Sequence, residues 1–369
     1  MGLEYLKSFE SESTALVLAK EIARLAAKRP QTRLMHLCGT HEQAINQAAL
    51  RQLLPPSIEI VPGPGCPVCV CPVEDIDQAV TLARLPGVTV LTFGDMIRVP
   101  GTRESLAQAR KDGAEVEVIY SPLDAIGKAQ ERPERQFVFF SVGFETTAAG
   151  VAGLVGAKLP LNLSFLMANR YMPPVLRLLM EIHDQSIQGF LLPGHAAIIT
   201  GLEPYRFMET EFHLPCVVAG FEPADVLFGI LGLMEQIDQG QAKLENRFKR
   251  VARDEGNPAA WRLINKVFEL VPGIWRGIDK IPGSAFALNA DYRHLDAMAR
   301  FDQRPAYAPS AHPPGCLCHR IMLGEKRPSD CGHFRTNCNP SQPLGPCMVS
   351  VEGTCYSWYR FSPDLTSTI

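Results

Sequence analysis

The sequence has 369 residues, 46% of them hydrophobic, which is enough to bury the cores of two or three domains. Its 36 basic and 39 acidic residues give a formal net charge of -3, and without a run of lysines and arginines we expect neither nucleic-acid nor membrane-surface binding. No apolar run approaches the roughly 20 residues of a membrane helix, and the first residues lack a signal-peptide pattern, so we expect a cytoplasmic protein.

The predicted elements of residues 11 to about 230 alternate helices with short apolar strands. The strands read, in chain order, RLMHL, SIEIV, VTVLTF, EVEVIY, QFVFFSV, LNLSFL, GFLLP and CVVAG. Continuous apolar strands between helices are typical of parallel sheets that are covered on both faces. The sequence therefore predicts an α/β fold with two α/β units, followed by a C-terminal helical and loop-rich domain rich in cysteine.

We place the domain boundaries where the composition changes. The polar segment GKAQERPERQ precedes a new strand, which suggests a boundary near residue 130. After about residue 240 the strand pattern gives way to helical stretches and then to a Pro/Gly/Cys-rich tail. The predicted domains are thus 1–130, 131–240 and 241–369.

Polar residues follow the ends of several predicted strands. Cys38 closes the first strand and is followed by His41 and Glu42. The equivalent turns of later strands carry Asp95, Glu145, Thr146, His195 and Glu222. Ligands of open α/β sheets bind at the carboxyl ends of strands, so these side chains are candidates for one cleft, although each could instead cap a helix.

The first thiol group stands in GPGCPVCV, residues 63–70. Cys66 and Cys69 form a C-x-x-C motif of the kind used in thiol redox chemistry, and the spacing lets the two sulfurs meet across a tight turn. Cys71 is either a third ligand or a packed apolar residue, and we favour the packed residue. A thiolate at Cys38 with the imidazole of His41 nearby would suit iron or zinc.

The second thiol group is the tail. Eleven cysteines in a reducing compartment favour metal or redox chemistry over structural disulfides. The spacing favours an iron-sulfur cluster on Cys331, Cys338, Cys347 and Cys355. Cys316 and Cys318 are then left as a redox pair or alternative ligands. Zinc is the main rival, but the tail lacks the usual C-x2-C knuckles.

Taken together, the motifs CGTHE, GPGCPVCV, GFETT, PGH, GFEP and DC-x6-C-x8-CMVS-x-EG-x-C resemble the HypD family of hydrogenase formation proteins over nearly the whole chain. The resemblance implies a scaffold on which the Fe(CN)2CO group of [NiFe] hydrogenases is assembled, with a HypC-type chaperone and a HypE-type cyanide donor as partners. It also implies a [4Fe-4S] cluster in the C-terminal part, Cys38 as the thiolate that holds the iron with its cyanide and CO, His41 as its neighbour, and Cys66 and Cys69 as a redox-active pair.

Two other functions remain open at this stage. The chain could be a thiol-disulfide oxidoreductase supplied with electrons by its cluster, or a zinc-stabilised binding protein without redox chemistry. Whether the chain catalyses ligand attachment to iron, or only holds the iron, does not follow from the residues.

Overall fold

The structure is a computed structural model that describes residues 12–183, 186–310 and 313–362. Its strands form two parallel sheets and one antiparallel hairpin. In chain order the strands are β1 (Thr32–His36), β2 (Ile58–Pro62), β3 (Val88–Thr92), β4 (Val116–Val118), β5 (Gln136–Gly143), β6 (Leu163–Asn169), β7 (Gly189–Pro193), β8 (Cys216–Ala219), β9 (Leu244–Asn246), β10 (Phe268–Ile274) and β11 (Lys280–Leu288).

Helices connect and cover these strands. They are α1 (Glu12–Ala26), α2 (Gly39–Gln47), α3 (Leu50–Leu53), α4 (Pro67–Val70), α5 (Val73–Ala83), α6 (Leu106–Lys111), α7 (Pro122–Glu131), α8 (Glu145–Val155), α9 (Pro173–His183), α10 (Gly194–Thr200), α11 (Phe207–Thr210), α12 (Pro223–Asp238), α13 (Pro258–Val267), α14 (Ala297–Phe301), α15 (Cys318–Met322) and α16 (Thr354–Phe361). Among the described helices, none is long and apolar enough to cross a membrane.

The first sheet has the strand order β2-β1-β7-β8-β9, and the second has the order β4-β3-β5-β6. All neighbouring strands in both sheets are parallel. In the first sheet β2 lies on one side of β1 and the later strands lie on the other side, beginning with β7. In the second sheet β4 lies on one side of β3, and β5 and β6 lie on the other. This reversal creates a crevice outside the carboxyl ends of the two central strands, where open α/β sheets bind ligands. The crevices lie between β1 and β7 and between β3 and β5.

The apolar strands are buried on both faces, as the sequence pattern predicts. Every residue of β3 is buried. In β5, Phe137 and Phe139 pack on one face with α8, whereas Val138 and Phe140 face the central core that also contains Cys69. Helices on both faces of parallel strands explain why these runs are apolar throughout rather than alternating. The α/β class and the cysteine-rich C-terminal region are confirmed.

The two sheets do not follow the linear division of the chain. The second sheet takes β3 and β4 from before residue 130 and β5 and β6 from after it. The first sheet joins β1 and β2 to strands from 189–246, which come after the whole second sheet in the chain. The three predicted domains stay a prediction, but the boundary near residue 130 does not separate one sheet from the other.

The tail packs back onto the beginning of the chain. Ser357 of α16 accepts a hydrogen bond of 2.9 Å from the Asn46 amide of α2, and Trp358 donates its indole N–H to Glu42 at 2.9 Å. Because these contacts link residues more than 300 positions apart, they fix the cysteine-rich tail beside the carboxyl edge of β1. The tail is therefore held partly by buried hydrogen bonds rather than by apolar burial alone.

Candidate metal and thiol site

Cys38 lies at the switch point of the first sheet. It follows β1, has extended dihedrals (φ -152°, ψ 130°) and immediately precedes α2. β1 pairs with β2 on one side and β7 on the other, so the Cys38 turn opens at the crevice where the strand order reverses. The predicted position of this thiol at a strand end is what the structure shows.

The environment of Cys38 keeps its thiol protonated. The residue is 6% exposed, and burial, reinforced by the nearby carboxylate of Glu352, raises its pKa to about 12. Glu352 accepts a hydrogen bond of 3.1 Å from the Thr40 hydroxyl. A metal ion would have to displace the thiol proton, because the thiolate is the form that binds metals.

The Cys38 turn and the C-x-x-C turn meet through their backbones. The Gly39 N–H donates to the Gly65 carbonyl at 3.1 Å. A Cβ atom on Gly65 would overlap backbone atoms of Leu37 and Cys38, and one on Gly39 would lie 2.6 Å from the Glu352 carbonyl oxygen. Glycine is therefore required at both positions so that the segments can approach each other this closely.

Cys66 and Cys69 are joined by a disulfide with a Cα–Cα distance of 5.2 Å. Cys66 is the N-cap residue of α4, and its sulfur accepts a hydrogen bond of 3.2 Å from the Cys69 N–H. Pro67 occupies the first turn of this helix, where its missing N–H costs nothing. The pairing that the C-x-x-C spacing allows is present, while the redox activity of the pair stays a prediction.

His41 is buried beside Cys38 and is neutral. Its Nε2–H donates to the Gly220 carbonyl at 2.9 Å, which leaves Nδ1 as the lone-pair nitrogen. Burial, together with the neighbouring His36, lowers the pKa of His41 to about 3. Phe221 packs between His41 and the exposed His195, with ring centroids 5.1 Å and 3.8 Å away. The structure thus brings two of the predicted histidines to the same crevice.

Glu42 does not line the cleft, because it is completely buried in a polar network. It accepts hydrogen bonds from Arg51 and Trp358 and lies 2.7 Å from Nε2 of His36. Burial alone would raise the pKa of this carboxyl, but Arg51 and His36 together lower it to about 2. Glu42 is therefore an anion at neutral pH, and its hydrogen bond from Trp358 links α16 to α2.

The other predicted strand-end residues occupy different environments. Asp95 accepts a hydrogen bond of 2.8 Å from the Ser350 hydroxyl, which brings the end of β3 to the segment that also carries Glu352. Glu145 is fully buried, which raises its pKa to about 7, and it accepts a hydrogen bond from the Met172 N–H. Thr146 and Glu222 are exposed, and Glu222 is the N-cap of α12.

All six cysteines of the tail are buried. Five of them, together with His333, line one small cavity: Cys316, Cys318, Cys331, Cys338 and Cys355. The sulfur atoms of Cys318, Cys347 and Cys355 lie within 4.8 Å of one another, a group that could hold a metal ion. Hydrogen bonds with Cys318 and Cys355 lower the pKa of Cys347 far below that of a free thiol.

Sequence spacing left Cys318 outside the cluster set, whereas the fold brings it to Cys347 and Cys355. Cys331 and Cys338 of the predicted set line the same cavity. A concentration of buried sulfur donors without intervening carboxylates fits iron-sulfur or zinc chemistry. Glu352 was also missed as a neighbour of Cys38, although it belongs to the EG-x-C motif seen in the sequence.

Cys71 and Cys216 are packed core thiols. Both are completely buried, and burial raises the pKa of each well above that of a free thiol. Cys216 begins β8. Cys71 packs in the apolar core, which is the environment favoured for it from the sequence, and its lack of a ligand role stays a prediction.

Comparison with known proteins points to one family. The family model HypD, described as "Hydrogenase formation hypA family", matches residues 13–362. The hydrogenase maturation factor HypD of Escherichia coli is 43% identical over 340 residues, which cover 91% of this chain and 90% of that protein. The putative hydrogenase expression/formation protein of Methanocaldococcus jannaschii is 40% identical over 344 residues, which cover 92% of this chain and 95% of that protein. The hydrogenase maturation factor HypD of Azotobacter vinelandii is 38% identical over 371 residues, which cover 97% of each chain.

Proposed function

The chain belongs to the HypD family of hydrogenase formation proteins, and on this premise we propose that it is the scaffold on which the Fe(CN)2CO group of [NiFe] hydrogenases is assembled. Its partners in this proposal are a HypC-type chaperone and a HypE-type cyanide donor. The iron with its cyanide and CO is cargo rather than a resident cofactor. The observation that carries the proposal is the position of the Cys38 thiol at the switch point of the first sheet. The turn that follows Cys38 is hydrogen-bonded, from Gly39 to Gly65, to the segment that carries the Cys66–Cys69 disulfide.

Cys38 and His41 supply the groups that an iron cargo needs. A thiolate is a soft, electron-rich ligand, and a neutral imidazole with a free lone pair is a second candidate ligand. Because the pKa of His41 is near 3, its Nδ1 stays unprotonated at neutral pH. In this proposal a cysteine of the chaperone completes the iron site from the open side of the crevice.

The Cys66–Cys69 pair would exchange electrons beside the iron. Reduction of the disulfide takes up two electrons and two protons and gives two thiols. α4 contacts β5 and the segment Pro346–Met348, which contains Cys347. Gly65, directly before the pair, is hydrogen-bonded to the Cys38 turn, so the pair adjoins both that turn and a cysteine-bearing segment of the tail. This placement supports electron exchange between the tail and the iron site.

The tail cysteines would hold a [4Fe-4S] cluster, which supplies single-electron transfer when it is bound. The spacing predicts Cys331, Cys338, Cys347 and Cys355 as ligands, and the proximity of Cys318 to two of them adds it as a further candidate. The protein's part is to provide buried thiols from loops and to keep water away from them, which the burial of all six cysteines supports.

A Cys38→Ala variant tests the scaffold function. The complex of the wild-type chain with the HypC-type partner, purified without oxygen, should show cyanide and CO infrared bands. Cys38→Ala should abolish these bands while the visible absorption of the tail cluster remains. Cys216→Ala is the matched control, since it removes another buried thiol of the same sheet, and it should keep both signals. Infrared bands that persist in Cys38→Ala would overturn Cys38 as the iron ligand.

The disulfide also favours a second candidate function, a cluster-fed thiol-disulfide oxidoreductase. Such an enzyme would reduce a protein disulfide substrate without HypC-type or HypE-type partners and would keep this activity in Cys38→Ala. A zinc-stabilised binding protein, the third class, would be colourless and would contain zinc in place of iron and sulfide. Anaerobic metal and sulfide analysis separates it from the other two.

A further inference from the structure

α16 is held by cysteine-bearing segments of the tail at both of its ends. Its first turn contains Cys355, whose N–H donates to the sulfur of Cys347 at 3.1 Å. At the other end of the helix, the guanidinium of Arg335 donates to the carbonyl of Trp358 at 3.3 Å, one of the last carbonyls that the helix itself leaves unpaired. Arg335 belongs to the loop 331–338, which begins and ends with a cysteine. The position of α16 therefore depends on the segments that carry the four cysteines predicted as cluster ligands.

The same helix is hydrogen-bonded to α2. The indole N–H of Trp358 donates to the Glu42 carboxylate at 2.9 Å, and the side-chain amide of Asn46 donates to the Ser357 hydroxyl at 2.9 Å. Glu42, Asn46 and Ser357 are buried. Hydrogen bonds between buried groups are costly to break, because water does not replace the lost partner. α16 and α2 are therefore expected to move together.

The Cys38 thiol takes its position from the first turn of α2. Cys38 is the N-cap residue of this helix, and its carbonyl accepts the N–H of Glu42 at 3.2 Å. In the same turn the Thr40 hydroxyl donates to the carboxylate of Glu352, which stands two residues before α16. Glu352 also lies against Gly39, where a side chain would have no room. A displacement of α16 would therefore displace the turn that presents the thiol.

We propose that Trp358 and Ser357 are positioning residues of the Cys38 iron site, and that they hold the first turn of α2 in place only while the tail cysteines bind their metal centre. This inference rests on the proposed cluster in the tail and on the proposed role of Cys38. Thiols that are supplied by loops become ordered when they bind metal, because metal binding and folding are coupled. A tail without its centre loosens α16, and α2 follows. The Cys38 thiol is then presented to iron only by a chain that already holds its cluster.

Two variants interrupt the link between α16 and α2 without touching a cysteine. Trp358→Phe removes the indole N–H that Glu42 accepts but keeps an aromatic ring, and Ser357→Ala removes the acceptor of the Asn46 amide. Trp261→Phe is the matched control. Trp261 lies in α13, which packs against α8 of the second sheet, and its ring lies 5.9 Å from that of Tyr171.

The experiment uses the full chain without partner proteins, purified without oxygen. Half of each preparation is treated with an iron chelator, and both halves are analysed for iron and sulfide. Amide hydrogen exchange of α2 and α16 is measured, and alkylation of Cys38 by iodoacetamide is followed by mass mapping. Removal of iron from the wild type should increase the exchange of α2 and the alkylation of Cys38 roughly tenfold, a size typical of coupling between two sites. Trp358→Phe and Ser357→Ala should lose most of this increase although α16 still responds, and Trp261→Phe should respond as the wild type does.

The outcomes separate this inference from the proposed function. If α2 exchanges equally with and without iron in a wild-type chain that was purified with full iron and sulfide, the positioning role is wrong and the proposed cluster stands. A full wild-type response in both Trp358→Phe and Ser357→Ala would overturn it in the same way. Cys38→Ala should keep the response of α2, and its loss would show that metal at Cys38 rather than in the tail is responsible, which also contradicts the inference. Wild-type protein without iron and sulfide would overturn the cluster and this inference with it, whereas the infrared test decides the iron site independently.

Discussion

The burial of the Glu42 carboxylate allows us to predict how much this residue stabilises the attachment of the tail. Glu42 is completely buried, and Arg51 and His36 hold its pKa at about 2 in place of the ordinary 4.5. At about 1.4 kcal/mol per pKa unit, this difference corresponds to roughly 3.5 kcal/mol of stability at neutral pH. Because the folded-state pKa is depressed, this stability is fully present above pH 4.5 and is lost as the pH falls toward 2.

Glu42→Gln keeps the shape of the side chain but removes its charge and leaves Arg51 without its buried partner. We expect the opening free energy of α2 and α16, measured by hydrogen exchange of their amides, to fall by roughly 2–3 kcal/mol at pH 7. At pH 3 the wild type has itself lost roughly half of the contribution, so the difference from the variant should shrink accordingly.

Glu211→Gln is the control for the loss of an acidic residue. Glu211 pairs with Arg177 on the surface, where both side chains are about half exposed, so its removal should leave the exchange of α2 and α16 unchanged. The reasoning would be refuted if the wild type and Glu42→Gln differed by the same amount at pH 7 and pH 3. That result would mean that Glu42 contributes by shape and hydrogen bonding but not as an anion.

Three further predictions concern the thiol sites. Alkylation and mass mapping of air-exposed protein should find Cys66 and Cys69 unreactive until a reductant is added, and two free thiols before reduction would refute the pairing. Gly65→Ala should lower the melting temperature by several degrees, because the new methyl group would overlap backbone atoms of Leu37 and Cys38. The control Gly127→Ala, in the middle of α7, places a methyl group with nothing within 4 Å and should lower the melting temperature little or raise it. Cys347→Ala should bleach the anaerobic protein and increase proteolysis of the tail, because metal binding is coupled to folding there; full iron and sulfide content in this variant would exclude Cys347 as a ligand.

The local sequence pattern was sufficient to predict the strands and the residues that follow their ends. Continuous apolar runs between helices predict buried parallel strands, because only strands covered on both faces are apolar throughout. Cys38 directly after such a run must lie at a carboxyl edge of a sheet, and the C-x-x-C spacing brings Cys66 and Cys69 within reach of each other whatever the surrounding fold. These predictions depend on a few neighbouring residues, so the sequence alone determined them.

Tertiary structure decided which distant segments meet. Strand pairing joins β1 to β7 across more than 150 residues, and no periodicity in either strand specifies that partner, so a division of the chain at residue 130 could not anticipate two interleaved sheets. Glu42 and Glu145 stand at strand-end turns like the other candidates. They are nevertheless buried, because the helices that follow turn these side chains inward.

The same limit applies to the tail. The number of residues between two cysteines does not tell how the loops fold back. The sequence therefore did not group Cys318 with Cys347 and Cys355, whose three sulfur atoms lie together in the structure. The approach of Glu352 to Cys38 likewise depends on α16 docking onto α2 through Glu42 and Trp358. Sequence by itself determined which residues carry the chemistry, and the long-range packing of the tail decided which of them act in one place, because contacts between distant segments form only when the whole core assembles.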